Sequence, residues 1–305
     1  MTTTVKMKKS RDLLYVRQKG ERGVYVVAFI LLALYSLCML LPLFMIFVSS
    51  FKDALEYNEQ LFTGEIYKLP ETFVFSNYVR AFKLMKVPVG MREVGLGEMA
   101  FHTFWMAVTA ATINCITQAC VGYVTAKYPS PVTRFLELAT LAMMVIPLYG
   151  SSGMFMKTIQ FLGLYDNWLL IPLTAFQGLG FSIFIYKGFY SGISWEYAEA
   201  IFIDGGGHLT VFFNVMIPQS FSLMLVFFIQ TFLSHYGDYA SKILYMPSFI
   251  TIAVGLYYES MLLPRIGETP VYFAALFLSC IPIALIYIFL GKRMMVSMNI
   301  GGLKG

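Results

Sequence analysis

The sequence predicts an all-α integral membrane protein of six transmembrane helices, with a cytoplasmic helix–turn–helix between spans four and five. Three observations carry that prediction. Of 305 residues, 58% are apolar and only 13% charged, with a mean hydropathy of +0.69, whereas soluble domains carry about 45–50% apolar and about 25% charged residues. Six apolar segments are long enough to cross a hydrocarbon layer, for which about 20 helical residues suffice. Between the fourth and fifth, a short acidic amphipathic stretch breaks at three glycines. A soluble enzyme, a disordered chain and a nucleic-acid binder are excluded by the same composition.

Residues 1–23 form a basic cytoplasmic segment. Lys6, Lys8, Lys9, Arg11, Arg17, Lys19 and Arg22 stand there against two acids, so this stretch holds the whole formal excess of +5. Such a cluster beside a first span places the N-terminus inside and touches anionic lipid. The first span, 24–48, is too long for the apolar core of a cleaved signal peptide and is expected to stay as an anchor. Residues 51–97 follow as the longest outer loop, ordered and extended, with Pro70 and Pro88. Within it Phe75 to Phe82 reads either as a short interfacial helix with aromatic anchors or as plain loop packing.

Spans two to six are expected at 102–126, 135–156, 167–190, 219–240 and 271–291, with the tail 292–305 returned to the cytoplasm. Both termini are then cytoplasmic, and the permeating domain covers residues 24–291. Pro147, Gly150 and Gly153 interrupt span three, which requires neighbours or a cavity to satisfy the freed backbone groups. Gly188 and Gly192 stand at the spacing that permits close helix contact. Cys38, Cys115, Cys120 and Cys280 lie in apolar stretches without metal or redox spacing and read as small core residues. The three histidines are too scattered for a metal site.

Polar groups inside spans are costly and normally face another helix or a wet path. Asn114, Thr117 and Gln118 share a face of span two; Gln230, Thr231 and Ser234 share one of span five; Gln177 lies in span four. Two readings stand: helix–helix hydrogen bonding, or a pathway lined with amides and hydroxyls for a neutral polar solute.

The loop 191–218 is the most informative segment. Ser194 is a plausible N-cap for a helix carrying Glu196 and Glu199 in its first turn, where negative charge suits the dipole. Tyr197, Ala198, Ile201 and Phe202 share its greasy half. After Asp204, Gly205 can take a left-handed conformation and end the helix, and Gly206 and Gly207 allow a reversal. A second helix is expected with Leu209, Phe212, Phe213 and Met216 on one face, before Pro218 stops it or starts span five. An acidic element at the positive-inside face reads as a docking surface for a basic or grooved protein, with surface packing as the plain alternative.

The spacing in this loop resembles the cytoplasmic loop of permease subunits of ABC importers: Glu-Ala-Ala, three residues, Gly, nine residues, Ile-x-Leu-Pro. Here it is Glu199-Ala200-Ile201, three residues, Gly205, nine residues, Val215-Met216-Ile217-Pro218. Ile201, Val215 and Ile217 depart from the pattern, apolar for apolar. Ile203-Asp204-Gly205, Leu162-Gly163-Leu164-Tyr165-Asp166-Asn167 with Pro172, Thr251-Ile252-Ala253-Val254-Gly255 and the ending Leu303-Lys304-Gly305 resemble the carbohydrate-importing, binding-protein-dependent branch, in its MalG-like and LplC/YtcP-like groups. The resemblance covers roughly residues 70–305.

It implies a type I ABC importer-like fold whose loop seats in a cleft of a separate ATPase subunit. Glu199 would pair with a cation there, Ala200 would permit close approach, and Gly205 would fix the angle between the loop helices. It also implies a dimer of ATPase subunits holding ATP and magnesium, a second permease completing the pathway, an extracellular solute-binding protein, and a sugar or oligosaccharide as substrate. The chain has no Gly-x-x-x-x-Gly-Lys-Ser/Thr loop, so no cofactor is expected on it. The expected setting is multi-pass in a bacterial plasma membrane. The alternatives are a same-fold importer of a polyamine or phosphate, or a membrane enzyme or scaffold; an enzyme would need an intramembrane acid–base or nucleophile cluster, and none is apparent.

Overall fold

The computed structural model describes residues 21–146, 151–176, 180–262 and 269–298. The basic segment before Glu21, Pro147, Gly150, Gln177 and the Leu303-Lys304-Gly305 ending lie outside these residues.

Among the described residues, four helical runs are long and apolar enough to cross a membrane: Gly23–Ser50, Leu96–Lys127, His208–Gly237 and Thr269–Gly291. They belong to α1 (Glu21–Ser50), α4 (Leu96–Lys127), the joined α10 (His208–Val211) and α11 (Ile217–Gly237), and α14 (Thr269–Met298). Expected spans one, two, five and six fall on them. The segments expected as spans three and four each fall on two shorter helices: α5 (Pro131–Val145) and α6 (Ser151–Phe161) over the first, α7 (Leu170–Ala175) and α8 (Phe181–Ser191) over the second. Local chemistry accounts for both breaks. Ile146, the residue before Pro147, leaves the helix at ψ 111°, as the proline ring's clash with an α-conformation there requires. Gly180 precedes α8 in an extended conformation.

α4 is the spine. It packs along α11, α8, α7 and α13 (Ile252–Leu262), and its inner side is small: Ala107, Ala110, Ala111 and Ala119 are fully buried. In a bilayer, where lipid is as apolar as leucine, such residues let backbones approach closely. Gly122 takes this furthest. A Cβ there would lie 2.4 Å from Tyr186 Cβ and 3.2 Å from the Lys187 nitrogen, so α4 and α8 touch at this point. Gly188, by contrast, has open space where a Cβ would go, and the glycine pair of span four makes no close contact within the chain. Gly122→Ala is therefore expected to destabilise the chain by about 1–3 kcal/mol, and Gly188→Ala to change it by less than about 0.5 kcal/mol. Thermal unfolding of the two variants in detergent checks the contrast.

The loop 51–97 is more structured than its sequence indicates. α2 (Ala54–Thr63) is capped by Asp53, whose carboxylate accepts from the Leu55 N–H at 3.0 Å, and closed by Gly64 at φ 75°. Residues 76–82 are helical, within α3 (Ser76–Leu84), and Phe75 is the capping residue before it. A hairpin follows, β1 (Lys86–Val89) and β2 (Arg92–Gly95), antiparallel with Val89 opposite Arg92 and Lys86 bonded to Glu93 at 2.8 Å. Lys52 ties this layer to the end of α1. It is fully buried and donates to the Gln60 side chain at 2.5 Å and the Ile66 carbonyl at 2.7 Å. Asn77 donates to the Ser50 and Lys52 carbonyls at 3.0 and 2.9 Å. Burial pushes the Lys52 ammonium down, with Glu56 opposing.

α1 meets α14, with the Phe47 and Phe277 rings 4.9 Å apart, yet none of its most apolar window is buried in the chain. The side chains so exposed call for lipid or a second protein. Among the described residues no His, Cys, Asp and Glu cluster could hold a metal, and all four cysteines are free.

Candidate functional site

α9 (Glu196–Ile203) and α10 cross the end of the bundle where α4 finishes. The Ser194 hydroxyl accepts from the Glu196 N–H at 3.3 Å, and Glu196 and Glu199 occupy the first turn. At the other end Gly205 has φ 82°. Its N–H donates to the Phe202 carbonyl at 3.1 Å, and the Gly206 N–H donates to the Ile201 carbonyl at 2.8 Å. This pair of bonds is the Schellman closure, which needs a residue tolerant of positive φ in Gly205's place. Gly206 is constrained differently: a Cβ there would meet Ile201 Cγ2 at 2.5 Å and the Ile201 carbonyl oxygen at 3.1 Å. Sequence reasoning gave Gly206 only a permissive part in the turn; the close approach depends on where Ile201 lies.

The two helices are fastened to the bundle. Ala198 is fully buried in a cluster with Tyr123, Tyr190, Val211, Phe212 and Met216. Lys127, the last residue of α4, donates to the Ile193 carbonyl at 2.6 Å. Tyr128 shares a 2.7 Å hydrogen bond with His208 Nδ1, and the Phe202 and His208 rings lie 4.9 Å apart.

The greasy faces differ from those the sequence predicts. Tyr197, Leu209 and Phe213 are exposed, at 53%, 74% and 57%, whereas Val211, Phe212 and Met216 are buried. In the second helix the cause is a π-helical turn at Phe212–Met216. One extra residue per turn brings Val211 and Met216, five apart, onto the inner side and rotates Leu209 and Phe213 out. Pro218 lies in the first two positions of α11 (Ile217–Gly237), at the start of expected span five, and the chain enters that helix from the turn before it without a break. The outer surface that results is mixed: Glu196, Glu199, Ala200 and Asp204 are exposed beside Tyr197, Ile203 and Leu209, while Ile201 is half-buried and Pro218 exposed.

The polar residues of the spans separate into two groups. Asn114 donates to the Ala175 carbonyl and accepts from the Thr231 hydroxyl, both at 3.4 Å, joining α4, α7 and α11. Gln118 is buried, its Oε1 without a partner among the described residues, and Thr117 is half-buried. Gln230 and Ser234 face outward and do not meet this group.

The fold matches a known transporter. Over 90% of this chain and 98% of the other, it superposes with a TM-score of 0.70, at 19% sequence identity, on a chain of a bacterial ABC transporter involved in the import of the acidic polysaccharide alginate. In sequence, the chain is 24% identical over 295 residues to the diacetylchitobiose uptake system permease protein NgcG of Streptomyces coelicolor, covering 92% of this chain and 90% of the relative. It is 25% identical over 208 residues to the maltodextrin transport system permease protein MdxG of Bacillus subtilis, covering 67% and 74%. This chain resembles the permease subunits of carbohydrate-importing ABC transporters. No family model matches it. It is a multi-pass membrane protein, and the relatives it resembles are transport permeases, not enzymes.

Proposed function

We propose that this permease is one of two transmembrane subunits of an ATP-driven importer for a sugar or oligosaccharide. The single observation that carries the coupling part is the α9–α10 element. It is braced to the bundle by Ala198, Lys127 and Tyr128, closed at Gly205 and Gly206, and presents Glu196, Glu199 and Asp204 with exposed apolar neighbours. A rigid element with an unfilled acidic and apolar surface suits a lever. Only a partner that contacts it differently in two states can drive the switch.

In this reading residues 24–291 form the permease domain, with six crossings of which the third and fourth are broken helices. Residues 1–23 and 292–305 are cytoplasmic, 51–97 lies outside, and 191–218 is the cytoplasmic coupling loop. Glu199 meets a cation in the cleft of an ATPase subunit, Ala200 allows the approach, and Gly205 sets the angle. A dimer of such subunits supplies ATP and magnesium chemistry, and an extracellular binding protein delivers the solute. Asn114, Thr117, Gln118 and Thr231 form this subunit's polar seam. Gln230 and Ser234 face the side where a second permease would complete the path. The membrane is the bacterial plasma membrane.

Affinity isolation of the full-length chain from native membranes tests this. An ABC ATPase and a second permease should come with it, and vesicles holding the complex and its binding protein should accumulate an oligosaccharide only with ATP. Isolation of the chain without either subunit overturns the proposal.

A further inference from the structure

Away from α9 and α10, a second polar locus lies near the C-terminal end of α11. A cavity of about 170 Å³ opens there between α6, α7, the end of α11 and α12 (Ala240–Tyr245). Phe155, Leu170 and Met246 give it apolar walls; His235, Lys242 and Thr174 bring polar groups. Lys242 is only 4% exposed, yet its ammonium has no hydrogen bond or ion pair among the described residues. The nearby Asp238 is otherwise engaged: its carboxylate accepts from the Ser241 N–H at 3.1 Å and from the Ser241 hydroxyl. His235 Nδ1 is buried with no partner among the described residues.

The hydroxyls around the cavity are committed as donors. Thr174 donates to the Leu170 carbonyl at 2.7 Å, and Tyr245, which also lines it, donates to the Ser152 carbonyl at 3.2 Å. The groups left to bind a guest are an ammonium and an imidazole, with hydroxyl oxygens able to accept from it. A buried cation without a paired anion is strongly unfavourable unless something else supplies the charge. Burial pushes the Lys242 ammonium down, with Asp238 opposing, and a bound anion would raise it again.

We infer that this cavity is an anion subsite, in which Lys242 and His235 receive the carboxylate or phosphate group of an acidic saccharide on its way into the importer. The inference rests on the reading of the chain as a carbohydrate permease and narrows its substrate class. The apolar walls suit the carbon faces of a sugar ring, and the volume suits one charged group with part of its ring rather than a whole oligosaccharide.

The test uses the assembled complex in phosphatidylcholine nanodiscs and reads its apparent thermal midpoint. The probes are digalacturonate and glucose 6-phosphate, each against its neutral counterpart, digalactose and glucose. At saturation an acidic probe should raise the midpoint by roughly 5 °C and its neutral counterpart should not. Lys242→Met should abolish the rise, and Lys242→Arg, which keeps the cation, should retain it. Should Lys242→Met fail to assemble, His235→Phe takes its place and should at least halve the rise. Three results would overturn the subsite: no rise with either acidic probe, an equal rise with the neutral sugars, or a rise that survives Lys242→Met. A rise produced by phosphatidylglycerol nanodiscs without sugar, and lost in Lys242→Met, would assign the cavity to a lipid headgroup and overturn it too. Co-isolation of the ATPase does not depend on this cavity, so failure here leaves the importer reading standing.

Discussion

Glu199→Lys is expected to leave the chain inserted and folded while cutting ATP-driven uptake by roughly 100-fold or more, since like charges forced together at an interface cost several kcal/mol. The carboxylate lies on the exposed side of α9, and surface substitutions of this kind change a protein's own stability little. Its position in the first turn also favours a negative charge, by about 0.3–1 kcal/mol, too small an effect to unfold a helix held by the buried Ala198. The loss should therefore appear in coupling and not in thermal unfolding. Proteoliposomes containing the variant complex, assayed for both ATP hydrolysis and solute accumulation, provide the check. Undiminished accumulation would remove Glu199 from the docking surface.

The second large effect is expected at Gly206. Alanine there would push Ile201, whose γ2 methyl and carbonyl oxygen would lie 2.5 and 3.1 Å from the new carbon. Ile201 cannot retreat by rotating a long side chain, because the methyl sits on its branched β carbon and the carbonyl oxygen is backbone. Its carbonyl also accepts the bond that closes α9. The overpacking costs about 1–3 kcal/mol. Placed between the two loop helices, it changes their mutual angle, so ATPase binding should weaken roughly tenfold or more. Gly205→Asn is the comparison. Its Cβ would meet open space, and asparagine tolerates positive φ better than other residues with a side chain, so its effect should be the smaller. Titration of the purified ATPase subunit against each variant complex measures both. A larger effect at Gly205 than at Gly206 would show that conformational strain, not steric contact, governs the joint.

Much of this architecture is legible without coordinates. The four long helices fall on four of the expected apolar segments, and the end of α9 at Asp204-Gly205 follows from a glycine placed where a left-handed residue is needed. Residues 75–82 carry enough pattern for a short helix to be one of two readings. The hairpin at 86–95 carries one local signal: its two-residue turn is Gly90-Met91, with Gly90 at φ 62° in the first central position, where such turns favour glycine. The buried and exposed sides of the second loop helix depart from a regular 3.6-residue period at Phe212–Met216, where the chain takes a π turn.

The polar residues show the same division. Asn114 and Thr231 stand 117 positions apart and meet because α4 and α11 cross there. Gln230, next to Thr231 in sequence, points the other way. Lys242 and His235 read as ordinary loop and helix-end residues until α6 and α7 close over them.

By itself the sequence determined that this chain lives in a bilayer, where its long spans run, and that an acidic hinge separates two of them. Those properties rest on hydropathy summed over about twenty residues and on glycine's backbone freedom, both of which act locally. Only the tertiary structure decided that Gly122 and Gly206 bear the closest contacts, and that a buried cation faces a cavity. Each of these depends on which side chains arrive from distant parts of the chain, a matter of packing that no local period encodes.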